Sequence, residues 1–213
     1  MGSADFEDAF ERLVRANLLK NRNERETVRV LMECCAKEKT FNKYYAHLAA
    51  RICEFQPQAK FSIQLAFWDA FKTFDDNLRK AANLAKLLFS LIVVHNCLRL
   101  NILKAMDMSS PEELSETTMI FLTVFLSSLL EHYDDPSDVT RLFESSISRS
   151  RQNAAAPSDD EMGHTVDDGD ALRANLTVFM VQVLKSSPKY KKGSKFRSNL
   201  KAAVKACDTD MFF

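Results

Sequence analysis

The chain has 213 residues, 46% of them hydrophobic and 27% charged, enough to bury an apolar core without disulfide staples. Its 29 basic and 29 acidic side chains cancel, which excludes a uniformly basic nucleic-acid coat and a strongly acidic tail protein. Only 4 Gly and 5 Pro are present, and Pro57, Pro111, Pro136, Pro157 and Pro188 all fall between apolar-periodic segments, as punctuation for helices.

Apolar residues recur at helical spacing almost throughout, and strand-like alternation is hard to find. Phe6, Phe10, Leu13 and Val14 make a first stripe; Val28, Leu31, Met32 and Cys35 make a second. Asn42 reads as the N-cap of a third helix whose inner face is Tyr45, Leu48, Ala49 and Ile52. After Pro57 a fourth stripe runs through Phe61, Leu65, Trp68 and Phe71, with Trp68 as its core anchor and Phe67 and Phe74 as extra contacts. Leu84, Leu87, Leu88, Leu91 and Ile92 form the fifth, followed by a short Leu100 to Met106 segment.

Ser110-Pro111-Glu112-Glu113 reads as a helix start, with a cap, Pro at the first helical position and carboxylates at the positive end of the dipole. That helix runs through Phe121, Phe125 and Leu129 to the break at Asp134-Asp135-Pro136, and Ser137 or Asp138 opens the next, on Val139, Leu142, Phe143 and Ile147. Two more stripes follow: Leu172, Leu176, Phe179, Met180 and Val183, then Phe196, Leu200 and Val204. Short links between so many helices predict an all-α fold of stacked antiparallel helical hairpins, a HEAT-like α-solenoid. The expected organisation is a helical repeat domain over 1–150, an acidic flexible connector over 151–170 and C-terminal helices with a basic surface over 171–213.

Charge is uneven along this frame. Ser158 to Asp170 holds six acidic residues and no Lys or Arg; Lys185 to Lys205 holds eight Lys or Arg and no acid. Within the basic end, Lys189, Lys191, Lys192, Lys195, Arg197, Lys201 and Lys205 are candidate RNA contacts, with Tyr190 and Phe196 interleaved. A solvated, solubilising face accounts for the same composition.

Catalytic signals are weak. The four scattered Gly allow neither a phosphate-cradling nor a dinucleotide-binding loop. His47, His95, His132 and His164 form no H-E-x-x-H pattern, and the single Glu161-x-x-His164 spacing sits beside Gly163 in a polar stretch. The five cysteines include adjacent Cys34 and Cys35, which point about 100° apart on a helix and cannot make a C-x-x-C pair. Reduced, mostly buried thiols in a reducing compartment are the expectation, with no cofactor, no metal, no small-molecule substrate and no enzyme activity. Asp5, Glu7 and Asp8 stand where a signal peptide needs basic and apolar residues. The longest apolar run, Met119 to Leu130, falls short of the ~20 residues that span a bilayer, so no membrane role is expected.

Several blocks, in order, resemble the C-terminal MA-three (MA-3) domain of nucleolar proteins that also carry a middle domain like that of initiation factor 4G, the suppressor of glycerol defect family. They are Asp5-Phe6-Glu7-Asp8-Ala9-Phe10-Glu11-Arg12-Leu13, Glu24-Arg25-Glu26, Val30-Leu31-Met32-Glu33-Cys34-Cys35 and Glu38-Lys39-Thr40-Phe41-Asn42. Tyr45-Ala46, Leu48-Ala49, Cys53-Glu54, Gln64 to Asp69 and Leu100 to Lys104 complete the set. Lys43 stands where the family usually has Pro, and Ile63 and Leu65 where it has Phe; both changes keep the local role. The family's domain begins one helix earlier, and its middle domain earlier still, so the resemblance implies a C-terminal part of a larger protein.

The resemblance further implies a non-catalytic protein-interaction domain of a small-subunit ribosome biogenesis factor, acting in 18S rRNA maturation in the nucleolus or nucleus. Its implied partners are the pre-ribosomal small-subunit particle and a DEAD-box RNA helicase of the initiation-factor type, the latter engaged through the middle domain. Direct rRNA binding through the basic end is the alternative. Glu38, Lys39, Lys43 and Tyr44, with Asp69 one helix further on, are the candidate protein-contact residues.

Overall fold

The computed structural model describes residues 5–20, 23–72, 77–147 and 168–208. Among them are nine α-helices and no strand: α1 (Phe6–Arg15), α2 (Asn23–Lys37), α3 (Lys43–Phe55), α4 (Ala59–Lys72), α5 (Leu78–Phe89), α6 (Glu116–His132), α7 (Pro136–Ile147), α8 (Asp168–Gln182) and α9 (Lys195–Cys207). The all-α fold of stacked helical hairpins expected from the periodicity is the fold observed. Met1–Leu98 with Ser115–Ser128 make one compact unit, and Arg99–Leu114 with Leu129–Phe213 make a second. Residue 150, the expected domain boundary, lies outside the described residues, as do Phe74 and most of the 151–170 segment; Asp168 to Asp170 are the first turn of α8.

In the first unit α1 packs on α3, while α2 packs on both α4 and α5. Val28, Leu31, Met32 and Cys35 of α2 are buried, as are Leu84, Leu87 and Leu88 of α5 and Leu91 and Ile92 beyond it. Each such side chain contributes about 1.5 to 3 kcal/mol of transfer free energy, which is why these stripes dictate how the helices face. Asn42 caps α3 as expected, its side chain accepting from Tyr44 N at 3.0 Å. The last residues of α5 widen into a single π turn, Ser90–Val94, closed by His95 N donating to Ser90 O at 2.9 Å.

Three expectations are corrected here. In α4 the buried residues are Ala59, Ser62, Ile63 and Phe67, whereas Phe61 is 53% exposed and Trp68 only half-buried. Apolar residues surround this helix, so the stripe could be drawn in two phases. The i, i+4 row Ile63–Phe67–Phe71 faces inward, with the Phe71 ring 5.1 Å from that of Phe121. Phe67, not Trp68, is the core anchor.

The second correction concerns the start of α6. Pro111–Glu113 is one isolated 3-10 turn, and Leu114 is extended. The helix begins at Glu116, where Ser115 Oγ accepts from Thr118 N at 3.2 Å. Both serines carry cap chemistry, but the extended Leu114 ends the first turn before a second can form. Likewise α7 starts at Pro136, with Asp135 Oδ1 accepting from Ser137 N at 2.9 Å, one or two residues earlier than expected.

In the second unit α9 packs on α7 and α8, and α8 also touches the 3-10 segment Leu100–Ala105. Phe143, Phe179, Met180, Leu200 and Ala203 are fully buried there. Among the described residues, a buried asparagine serves a helix C-terminus in each unit. Asn83 Nδ2 donates to Glu38 O at 2.9 Å, with longer contacts of 3.4 Å to Cys35 O and Ala36 O at the end of α2. Asn199 Nδ2 donates to Leu130 O at 2.8 Å and Tyr133 O at 2.7 Å at the end of α6. Carbonyls left over by the helix ladder find donors in this way instead of water.

Candidate interaction surfaces

A groove of about 530 Å³ lies in the first unit where α2 meets the end of α1 and the start of α3. Its lining is mainly apolar, with Leu13, Leu18, Val30, Leu31, Tyr44 and Leu48 prominent. Val30 is 51% exposed and Leu18 40%, so the groove presents large hydrophobic side chains to solvent. Thr27 fixes one wall: its hydroxyl lies 2.8 Å from Leu18 O and 2.9 Å from Asn23 O.

The tyrosine pair fixes the other. Tyr44 and Tyr45 meet edge to face with ring centroids 5.3 Å apart, and Tyr45 OH donates to Glu38 Oε1 at 2.9 Å. Burial and this hydrogen bond to a carboxylate push the Tyr45 phenol well above its ordinary value, so it remains a neutral donor. Glu38 is therefore tied twice, by its carboxylate to Tyr45 and by its backbone carbonyl to Asn83. The α2–α3 corner is held as a rigid piece.

Of the residues expected at a protein interface, Tyr44 lines the groove and Glu38 braces its neighbour. Lys39 and Lys43 are exposed on the connecting corner. Asp69 is exposed on α4 and is not part of the groove lining. Leu18, Val30 and Cys34 were not singled out as contact residues from sequence. The only available signal was that Val30 and Cys34 lie off the buried Val28–Leu31–Cys35 stripe, as apolar residues on the outer face of an amphipathic helix.

In the second unit the basic end is less uniform than its composition. Lys195 Nζ lies 2.6 Å from Asp134 Oδ1 and Lys189 Nζ 2.8 Å from Glu131 Oε1, both acids belonging to the end of α6 and the turn after it. The Lys195 ammonium in turn holds the Asp134 carboxyl below its usual range. Arg197 stacks over the Tyr190 ring with its guanidinium carbon 5.2 Å from the centroid. Lys191, Lys192, Lys201 and Lys205 are exposed, and Lys201 and Lys205 stand one turn apart on the outer face of α9. Ser194 caps that helix by accepting from Arg197 N at 3.2 Å.

Among the described residues, no group of three or more His, Cys, Asp or Glu is placed to hold a metal ion. No described helix is long and apolar enough to cross a membrane.

The family model for the MA3 domain matches residues 1–98. Nucleolar MIF4G domain-containing protein 1 of Mus musculus is 39% identical over 137 residues, covering 63% of this chain and 15% of that protein. Suppressor of glycerol defect protein 1 of Schizosaccharomyces pombe is 32% identical over 153 residues, 68% of this chain and 19% of that protein. A pre-mRNA-splicing factor CWC22 homolog of Xenopus laevis is 26% identical over 141 residues, 66% of this chain and 17% of that protein. The chain thus spans less than a fifth of the length of these relatives.

Proposed function

We propose that this chain, whose residues 1–98 are an MA3 domain, is a non-catalytic protein-interaction module of a nucleolar RNA-processing factor. The finer reading is a role in small-subunit ribosome assembly and 18S rRNA maturation, alongside a DEAD-box RNA helicase of the initiation-factor type. The observation that carries it is the apolar groove of α1, α2 and α3, which lies within the MA3 match and exposes Val30 and Leu18 beside the braced Tyr44. An apolar floor with a few fixed polar groups is the chemistry that receives a side-chain anchor from another protein. The resemblance to nucleolar relatives supports the compartment.

Binding of a purified DEAD-box helicase of this type, or of a reconstituted pre-ribosomal particle, tests the reading. Val30→Asp is expected to weaken association at least tenfold while the far-UV spectrum and thermal midpoint stay unchanged, because Val30 is half-exposed. Stimulation of the helicase ATPase is expected only from a longer protein carrying the middle domain. Equal binding by wild type and Val30→Asp refutes the groove as the contact.

Direct rRNA binding through the second unit remains the alternative reading. It is favoured by the exposed Lys191, Lys192, Lys201 and Lys205 and opposed by the acids that neutralise Lys189 and Lys195.

A further inference from the structure

The groove of α1, α2 and α3 carries a charge pattern that its apolar lining does not reveal. Residues 11–48, which supply the whole lining, hold nine Lys or Arg and five acids, in a chain whose charges cancel overall. All five acids are occupied. Glu11 pairs with Arg15 at 2.7 Å and Glu26 with Arg29 at 2.6 Å, while Glu33 serves both Lys37 at 3.0 Å and Lys80 at 3.7 Å. Glu38 accepts from Tyr45 OH, and Glu24, 4% exposed and outside the lining, accepts from Gln56 Nε2 at 2.8 Å. Among the described residues no acid pairs with Lys20, Lys39 or Lys43, all of which are exposed.

These three lysines belong to the two ends of the groove. Lys20 follows Leu18, whose carbonyl oxygen lies 2.8 Å from the Thr27 hydroxyl in the first half of α2. Lys39 and Lys43 belong to the corner between α2 and α3, beside Tyr44. Between these ends, the α2 residues of the lining run from Asn23 to Cys34, about 16 Å of helix at 1.5 Å per residue. Apolar anchors spaced i, i+4 and i+7 on a second helix span about 10 Å and fit that length. The walls are helical and give a strand no edge to pair with. Their hydroxyls are also engaged, that of Thr27 with Leu18 O and Asn23 O and that of Tyr45 with Glu38. An extended peptide would lay unpaired N–H and C=O groups against Leu13, Val30 and Leu48, whereas a helix arrives with its backbone already satisfied.

From this arrangement we infer that the groove receives one amphipathic helix of a partner protein, with large apolar side chains along one face and Asp or Glu at both flanks. The inference rests on the groove being the contact surface proposed above, and it adds the secondary structure and the charge of the occupant. Apolar anchors cover Val30 and Leu18; the flanking acids meet Lys20 at one end and Lys39 and Lys43 at the other. Exposed charges of this kind set partner choice and encounter rate more than affinity, so the anchors hold the helix and the lysines select it.

Three fluorescein-labelled peptides of about 15 residues, long enough to form a helix, test this by anisotropy against the full chain. The first carries Leu at i, i+4 and i+7 with Glu at both flanks, the second has the same Leu with Lys flanks, and the third keeps Glu but has Ser in place of Leu. The first is expected to bind about tenfold more tightly than either of the others, with an affinity that falls as salt rises. Lys39→Glu combined with Lys43→Glu, both at exposed positions, should equalise the first two or reverse their order, and Val30→Asp should weaken both Leu peptides. Equal binding of the two Leu peptides, lost in Val30→Asp, leaves the groove as a contact surface and overturns the acidic partner. Equal binding of the Leu and Ser peptides with Glu flanks, or no binding by either Leu peptide, overturns the helical occupant; the effect of Val30→Asp on helicase or particle binding then decides the proposed function independently. Sedimentation of the chain alone covers the other occupant, since self-association abolished by Val30→Asp assigns the groove to a second copy and overturns the inference.

Discussion

Replacing Asn199 removes two short hydrogen bonds made by a buried side chain. The residue is fully buried, and its amide is the donor to Leu130 O and Tyr133 O where α6 ends. A buried carbonyl deprived of its donor costs about 1 to 3 kcal/mol, so two amount to about 2 to 6 kcal/mol. Against this, Asn199 Oδ1 is itself buried without a partner, and its removal returns about 1 kcal/mol or more. The net expectation for Asn199→Ala is a loss of about 1 to 4 kcal/mol, or a midpoint lowered by roughly 4 to 8 °C for a loss of 2 kcal/mol in a chain of this size. Asn199→Asp keeps the shape but cannot donate from a carboxylate, and it places charge beside two carbonyls, so it should be worse than Ala. Thermal and urea unfolding followed by circular dichroism would read both, with amide exchange at the end of α6 reporting where the loss falls. A shift within 1 °C for Ala, or Asp more stable than Ala, refutes the capping role.

Three further outcomes are expected. Phe67→Ala should cost about 3 to 5 kcal/mol in chemical denaturation and Trp68→Ala clearly less, because only Phe67 is fully buried; the reverse order would restore Trp68 as the anchor. Burial, reinforced by the neighbouring His47, holds His95 below the ordinary histidine value, so the unfolded chain binds its proton more readily than the folded one. Stability should therefore fall as pH drops through about 6.5, and His95→Gln should flatten that slope in urea midpoints measured between neutral and mildly acidic pH. If the second unit binds RNA, alanine at Lys191, Lys192, Lys201 and Lys205 should reduce the log-log salt slope by about 3 units, on the order of 0.7 to 0.9 per lost phosphate contact; an unchanged slope leaves these lysines as a solvated surface.

The helices whose apolar residues occupy one side were readable from sequence, and the others were not. Val28, Leu31, Met32 and Cys35 fit one face of α2 and no other, so the stripe fixed its own phase. In α4, Phe61, Ile63, Leu65, Phe67, Trp68 and Phe71 surround the axis, and only packing against α2 and Phe121 decides between faces. The start of α6 was misplaced because Ser110-Pro111 and Ser115 both carry cap chemistry, and the deciding feature, extended Leu114, has no sequence signature. Tyr44 was legible as a contact candidate, but the groove beside it is assembled from three helices, and its depth is a property of their packing. The acids that meet Lys189 and Lys195 come from the end of α6 and the turn after it, far outside the acid-free stretch from Lys185 to Lys205.

Those acids change the range over which the basic end acts. With Glu131 beside Lys189 and Asp134 beside Lys195, each pair presents a dipole whose field falls faster with distance than that of a lone charge. At physiological salt the Debye length is about 8 Å, so little of a dipole's field survives beyond the first hydration layers. A polyanion approaching this surface would be steered mainly by Lys191, Lys192, Lys201 and Lys205, and its encounter rate should vary less with ionic strength than eight basic residues suggest. Neutralising Glu131 and Asp134 would lengthen the reach of the same lysines without adding a single positive charge.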